Sequence, residues 1–158
     1  MNSFVEKFKV EVGEYCERLE SGLLQLEHNP ENHLVISDIF RMMHTMKGSG
    51  GMFGFDLLSE VTHDLESLFE IFRAKERIVD SEVINFTLKA VDGLKRLMVE
   101  NPDDEDRLLA SRLKLETQQQ IARFTSTNAE TAIEDLFYTP DESISESNQT
   151  TYYISFKP

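Results

Sequence analysis

The chain has 158 residues, 40% of them apolar, with a formal net charge of −13 and a sequence pI of about 4.7. That length fits one domain and a tail. Such acidity repels nucleic-acid backbones and anionic membranes and suits docking onto a basic patch of another protein. The single cysteine, Cys16, cannot form an internal disulfide, so a reducing cytoplasm is expected. No run approaches the roughly 18 apolar residues of a membrane span, and the charged N-terminus lacks the apolar core of a signal peptide.

Five amphipathic segments follow in chain order. The first, residues 3–27, places Phe4, Phe8, Val12, Tyr15, Leu19, Leu23 and Leu26 on one helical face, and Asn29-Pro30 ends it. The second, 30–52, carries Val35, Ile36, Ile39, Phe40, Met43 and Met46 and runs into Gly48-Ser49-Gly50-Gly51. The third, 55–76, has the stripe Leu58, Val61, Leu65, Leu68, Phe69 and Phe72. The fourth, 81–99, opens at a cap supplied by Asp80 or Ser81 and turns Val83, Ile84, Leu88, Val91, Leu94 and Leu97 inward. After the turn 101–104 comes the fifth, 106–124, with Leu108, Leu109, Leu113, Leu115, Ile121 and Phe124. No strand signal interrupts these segments. Long helices with short connections predict an all-α, antiparallel up-down four-helix bundle, with the additional C-terminal helix on its side and an extended tail beyond it. The domain division expected is 1–125 for the bundle and 126–151 for an acidic polar linker, with a short helical turn near 132–138. Residues 152–158 alternate like a strand and read as the start of a following domain, so the chain is expected to be a fragment of a larger protein.

The informative stretch is 40–55. Three glycines within four residues cost a helix about 1 kcal/mol each relative to alanine. Either the helix ends there, or the absent side chains clear a surface for a partner. The second reading gains weight because His44 and Lys47 stand beside them. On a helical wheel His44 lies about 120° from the apolar centre, on an exposed flank. If the chain reverses near Gly54, His44 is level with about Asp64, which brings His63 and Glu66 within reach. His44, Lys47, His63 and Glu66 then cluster across one helix–helix groove. A neutral imidazole attacks a phosphoryl group through one nitrogen when the other carries the proton. A carboxylate such as Glu66 fixes that tautomer and raises basicity, while Lys47 offsets the incoming negative charge. No loop here cradles ATP, so the phosphoryl donor is expected to be another domain. The four histidines lack the spacing of a metal site, and none is expected. His28 and His33 flank a turn and read as surface residues.

The residues Ile39-Phe40-Arg41, His44, Lys47-Gly48, Gly51 and Phe53-Gly54-Phe55, then Glu60, Thr62-His63, Glu66 and Ile84-Asn85, together resemble the histidine phosphotransfer (HPt) domain at the N-terminus of CheA-type chemotaxis histidine kinases. The resemblance covers residues 3–124. It implies a helical bundle whose exposed histidine is phosphorylated by an ATP-binding kinase domain and passes the group to an aspartate of a response-regulator receiver domain. By that resemblance His44 is the phosphoacceptor, Glu66 orients it, and Lys47 and His63 support it. The segment is then a phosphoryl carrier rather than an enzyme, binding no cofactor itself, with ATP and Mg on the partner kinase domain. Arg41, Met42, Gly48, Gly51 and Met52 are the expected partner-contact residues. Ser49 and Gly50 stand where the family usually has Gly and Ala, and bulky Met52 bears on regulator choice. The competing reading is a non-catalytic helical adaptor that docks a partner through its acidic surface.

Overall fold

A computed structural model describes residues 3–75 and 77–137. Five α-helices follow one another: α1 (Ser3–His28), α2 (His33–Met52), α3 (Asp56–Lys75), α4 (Ser81–Arg96) and α5 (Asp104–Phe137). The described residues contain no strand, and none of their helices is long and apolar enough to cross a membrane.

The helix ends follow from local chemistry. The Asn32 side chain accepts from Val35 N and starts α2 three residues later than Pro30 suggested. Asp80 caps α4 by accepting from Val83 N at 2.9 Å. At α5, Asp106 N donates to Asp103 Oδ1 and Asp103 N donates to Asp106 Oδ2. This reciprocal cap moves the helix start ahead of Asp106. At the other end of α2, Phe55 N donates to Gly50 O and Gly54 N to Gly51 O. Gly54 has φ 81°, a conformation in which a side chain would be strained, and the pattern is the Schellman reversal that turns the chain into α3.

Helices α1–α4 enclose the core, and α5 packs along α3 and α4. The inward residues of α1 to α4 largely match the apolar stripes, from Phe8, Leu19 and Leu23 through Ile39 and Met43 to Phe69 and Leu94. Phe4, at the start of the α1 stripe, is exposed. The face of α5 differs from the sequence expectation. Leu108 and Leu115 point to solvent, whereas Asp106, Ala110, Leu113, Thr117 and Gln120 face inward. The cause lies on α4: a Cβ at Gly93 would sit 2.5 Å from Leu113 Cδ1. Leu113 therefore occupies the notch left by Gly93, which fixes its inward place on α5. Helical backbone also runs on to Phe137, thirteen residues past Phe124, into the segment whose composition suggested a linker. The alternating residues 152–158 lie outside the described residues.

Candidate functional site

The α2–α3 hairpin builds the site. Its two helices approach closely because Gly50 has no side chain: a Cβ there would lie 3.1 Å from Leu58 Cδ2 and 3.5 Å from Ser59 N. Ser59 Oγ donates to Lys47 O at 2.8 Å and ties the helices at the same level. The glycine run forms the last turn of α2, which ends at Met52. One glycine serves close packing, while a Cβ at Gly48 would meet nothing within 4 Å.

At this spacing His44 on α2 meets Glu66 on α3, with Nδ1 and Oε1 2.7 Å apart. Lys47, one turn along α2, places Nζ 2.5 Å from Glu66 Oε2. The Glu66 side chain is 10% exposed and that of His44 63%. Oε2 is shut off from solvent, and the Lys47 ammonium beside it is its compensation. Burial pushes the Glu66 carboxyl up, but hydrogen bonds and charge from Lys47 and then His44 outweigh it and hold the pKa below its ordinary value. An ionised carboxylate can only accept, so Nδ1 must be the donor. The neutral ring then presents its Nε2 lone pair on a largely solvent-exposed imidazole.

The other residues named from sequence distribute as follows. His63 is exposed one turn before Glu66, and its ring makes no hydrogen bond among the described residues. Of the expected four-residue cluster, His44, Glu66 and Lys47 are in direct contact, and His63 stands apart on the exposed surface of α3. Arg41 is exposed and pairs loosely with Asp38 at 3.7 Å. Gly48, Gly51 and Met52 are on the surface. Met42, expected to contact a partner, is instead 6% exposed and belongs to the core. With Ile39 it lies on the side of α2 that faces Gly22 of α1, away from His44. His28 and His33 are exposed, as expected. Among the described residues no group of His, Cys, Asp or Glu could hold a metal ion.

Two further residues stand near the site: Phe40, read from sequence as part of the apolar stripe and of the family resemblance but given no role at the site, and Arg73, not named at all. The Phe40 ring stacks beside the His44 ring, 6.2 Å between centroids and 20° from parallel. The Arg73 guanidinium lies 4.1 Å from the Phe40 centroid. The i, i+4 spacing of Phe40 and His44 was a legible signal, but Phe40 reads as core by periodicity. Arg73 was illegible without the pairing of α2 with α3.

An all-α bundle that presents one carboxylate-tethered imidazole on a helical hairpin is the architecture of a histidine phosphotransfer domain. The chain belongs to the Hpt domain family, whose model matches residues 3–119. It is 31% identical over 137 residues to the sensor histidine kinase CheAY of Helicobacter pylori, covering 85% of this chain and 17% of that protein. It is likewise 31% identical over 109 residues to the chemotaxis protein CheA of Halobacterium salinarum, covering 68% of this chain and 16% of that one. The chain thus spans about a sixth of the length of these relatives. Among solved structures, the CheA phosphotransferase domain from Thermotoga maritima shares 33% identity with a TM-score of 0.57, covering 60% of this chain and 90% of that domain. The fold is also that of the phosphorylated P1 domain of CheA3 in complex with CheY6 from R. sphaeroides, at 20% identity and a TM-score of 0.64, over 75% of this chain and 98% of that one.

Proposed function

We propose that this chain is the phosphotransfer module of a CheA-type histidine kinase acting in two-component, chemotaxis-type signalling in the cytoplasm. In this reading His44 accepts a phosphoryl group from the kinase's ATP-binding domain and donates it to an aspartate of a response-regulator receiver domain. The observation that carries it is the 2.7 Å contact between His44 Nδ1 and a buried, ionised Glu66, on a ring that is 63% exposed. The family membership of residues 3–119 supports it. So does the fold shared with a phosphorylated P1 domain in complex with CheY6.

The chemistry follows from the tautomer. The Nε2 lone pair forms a bond to the γ-phosphorus of ATP held, with Mg, on the kinase domain. The bond from phosphorus to the bridging oxygen breaks, and its electron pair leaves with ADP. The ring keeps its Nδ1 proton and becomes cationic as the bond forms. Glu66 already faces that proton, so its hydrogen bond strengthens as charge develops. Lys47 balances the Glu66 charge and stands ready for the anionic phosphoryl group. In the second step a receiver carboxylate oxygen attacks phosphorus, and the N–P electron pair returns to Nε2. The segment is a carrier, binding no cofactor of its own, and the kinase activity belongs to the parent protein. The bundle over residues 1–125 is the phosphotransfer domain, with Arg41, Gly48, Gly51 and Met52 as the surface that partners meet and His63 at its rim.

The test is incubation with labelled ATP and the cognate kinase domain. Acid-labile, alkali-stable label that His44→Gln abolishes, with the melting temperature unchanged within a few degrees, is the expected result. Absence of label, or label retained in His44→Gln, overturns the assignment and favours the helical-adaptor reading.

A further inference from the structure

One hydrogen bond fixes a point on an imidazole but not its plane. With Nδ1 held by Glu66, the His44 ring can still rock about that contact and swing Nε2, because most of the ring faces solvent. Phosphoryl transfer needs the attacking lone pair in line with the leaving oxygen, and a misplacement of about 1 Å costs about a hundredfold in rate. Something must therefore hold the plane.

The neighbouring ring is Phe40, one turn before His44 on α2. Its 20° interplanar angle and 6.2 Å centroid separation fall in the range of offset aromatic pairs. Phe40 is half-buried and packs against the core, which anchors its inner edge. Its orientation is secured from α3. The Arg73 guanidinium lies over the ring at 4.1 Å, close enough for a cation–π contact. Arg73 is itself held in a fork by Glu70, with Nε 2.7 Å from Oε2 and Nη2 2.9 Å from Oε1. A chain of planar groups thus runs along the α2–α3 groove from Glu70 through Arg73 and Phe40 to His44. It reaches the imidazole through Phe40 on α2, whereas Glu66 reaches Nδ1 from α3.

We infer that Phe40, braced by Arg73, is a positioning residue for phosphoryl transfer, holding the plane of the His44 ring while Glu66 holds its tautomer. The inference rests on the phosphotransfer reading of His44. Its test compares wild type with Phe40→Leu, Phe40→Tyr and Arg73→Gln as substrates of the cognate kinase domain, separating kcat from KM. In parallel, phosphoramidate serves as a small donor that can reach the ring in any orientation. Phe40→Leu is expected to lower kcat about tenfold with KM within about twofold and the phosphoramidate rate nearly unchanged. Phe40→Tyr, which keeps the ring, should retain at least about half the wild-type kcat. Arg73→Gln should show a fall of about two- to threefold, at an exposed position where folding is not at stake. Ring nitrogen NMR shifts should still report a proton on Nδ1 in all three variants. Unchanged kcat in Phe40→Leu, equal loss in Phe40→Tyr, or a parallel fall with phosphoramidate would each overturn the positioning role. A wild type that takes no label from either donor would sink the underlying phosphotransfer reading, and this inference with it. A labelled wild type beside an equally active Phe40→Leu would sink this inference alone.

Discussion

Replacing Glu66 by Gln removes one charge while keeping size and an accepting oxygen. In the native site the carboxylate faces His44 Nδ1 at 2.7 Å and Lys47 Nζ at 2.5 Å, with 10% of its side chain exposed. A hydrogen bond to a charged group contributes about 1.5–3 kcal/mol. Its strength is greatest when the imidazole becomes cationic, so most of that contribution belongs to the transition state and not to the resting protein. At 1.36 kcal/mol per factor of ten, phosphorylation of Glu66→Gln should be about ten- to a hundredfold slower. Folding should suffer less, because the partners left behind, His44 and Lys47, are both accessible to water. Initial rates of label incorporation from ATP, beside far-ultraviolet circular dichroism, measure the two effects separately. A variant that is folded and labelled at the wild-type rate would refute the orienting role. Glu66→Ala should likewise be slow but folded, and a large loss of helical signal there would assign Glu66 to stability instead.

The same carboxylate makes stability depend on pH. Its folded pKa lies below the ordinary value, so its contribution is complete above the ordinary carboxylate range and is lost as pH falls through the lowered folded value. The stability gap between wild type and Glu66→Gln, measured by urea titration, should therefore be widest near neutrality and shrink in acid; a gap that widened in acid would contradict the sign. Cys16 is fully buried, and burial pushes its thiol up to about 11. Its alkylation by iodoacetamide at neutral pH should proceed no faster than unfolding, and rapid labelling of the native protein would refute its core placement. Gly54→Ala puts a side chain at φ 81° where a Cβ would touch nothing within 4 Å. The loss should be purely a backbone cost of about 1–2 kcal/mol, read as a lower urea midpoint at unchanged slope.

Much of this protein could be read along the chain because its helices obey one rule: apolar residues recur with the helical period, and Asn29-Pro30, Asp80 and 101–104 punctuate them. Helix number, the α2–α3 reversal at Gly54 and the exposure of His44 are local consequences of that pattern. Pairing His44 with Glu66 needed only the added assumption of a hairpin, since residues equidistant from a turn lie level. What the tertiary structure decided is everything set by contact between distant segments. The face of α5 was read only in part: Leu109, Leu113, Ile121 and Phe124 pack inward, with Leu113 in the notch at Gly93 on another helix, whereas Leu108 and Leu115 stand in solvent. Met42 and Met52 look alike in sequence, yet one is closed off by α1 and the other stands in solvent. His63 stands outside the contact of His44, Glu66 and Lys47, on the exposed surface of α3. The bracing of Phe40 by Arg73 spans 33 positions and exists only once α2 and α3 close. Periodicity reports which face of a helix is apolar; which side chain meets which is settled by packing, where a missing Cβ opens the notch that a neighbour fills.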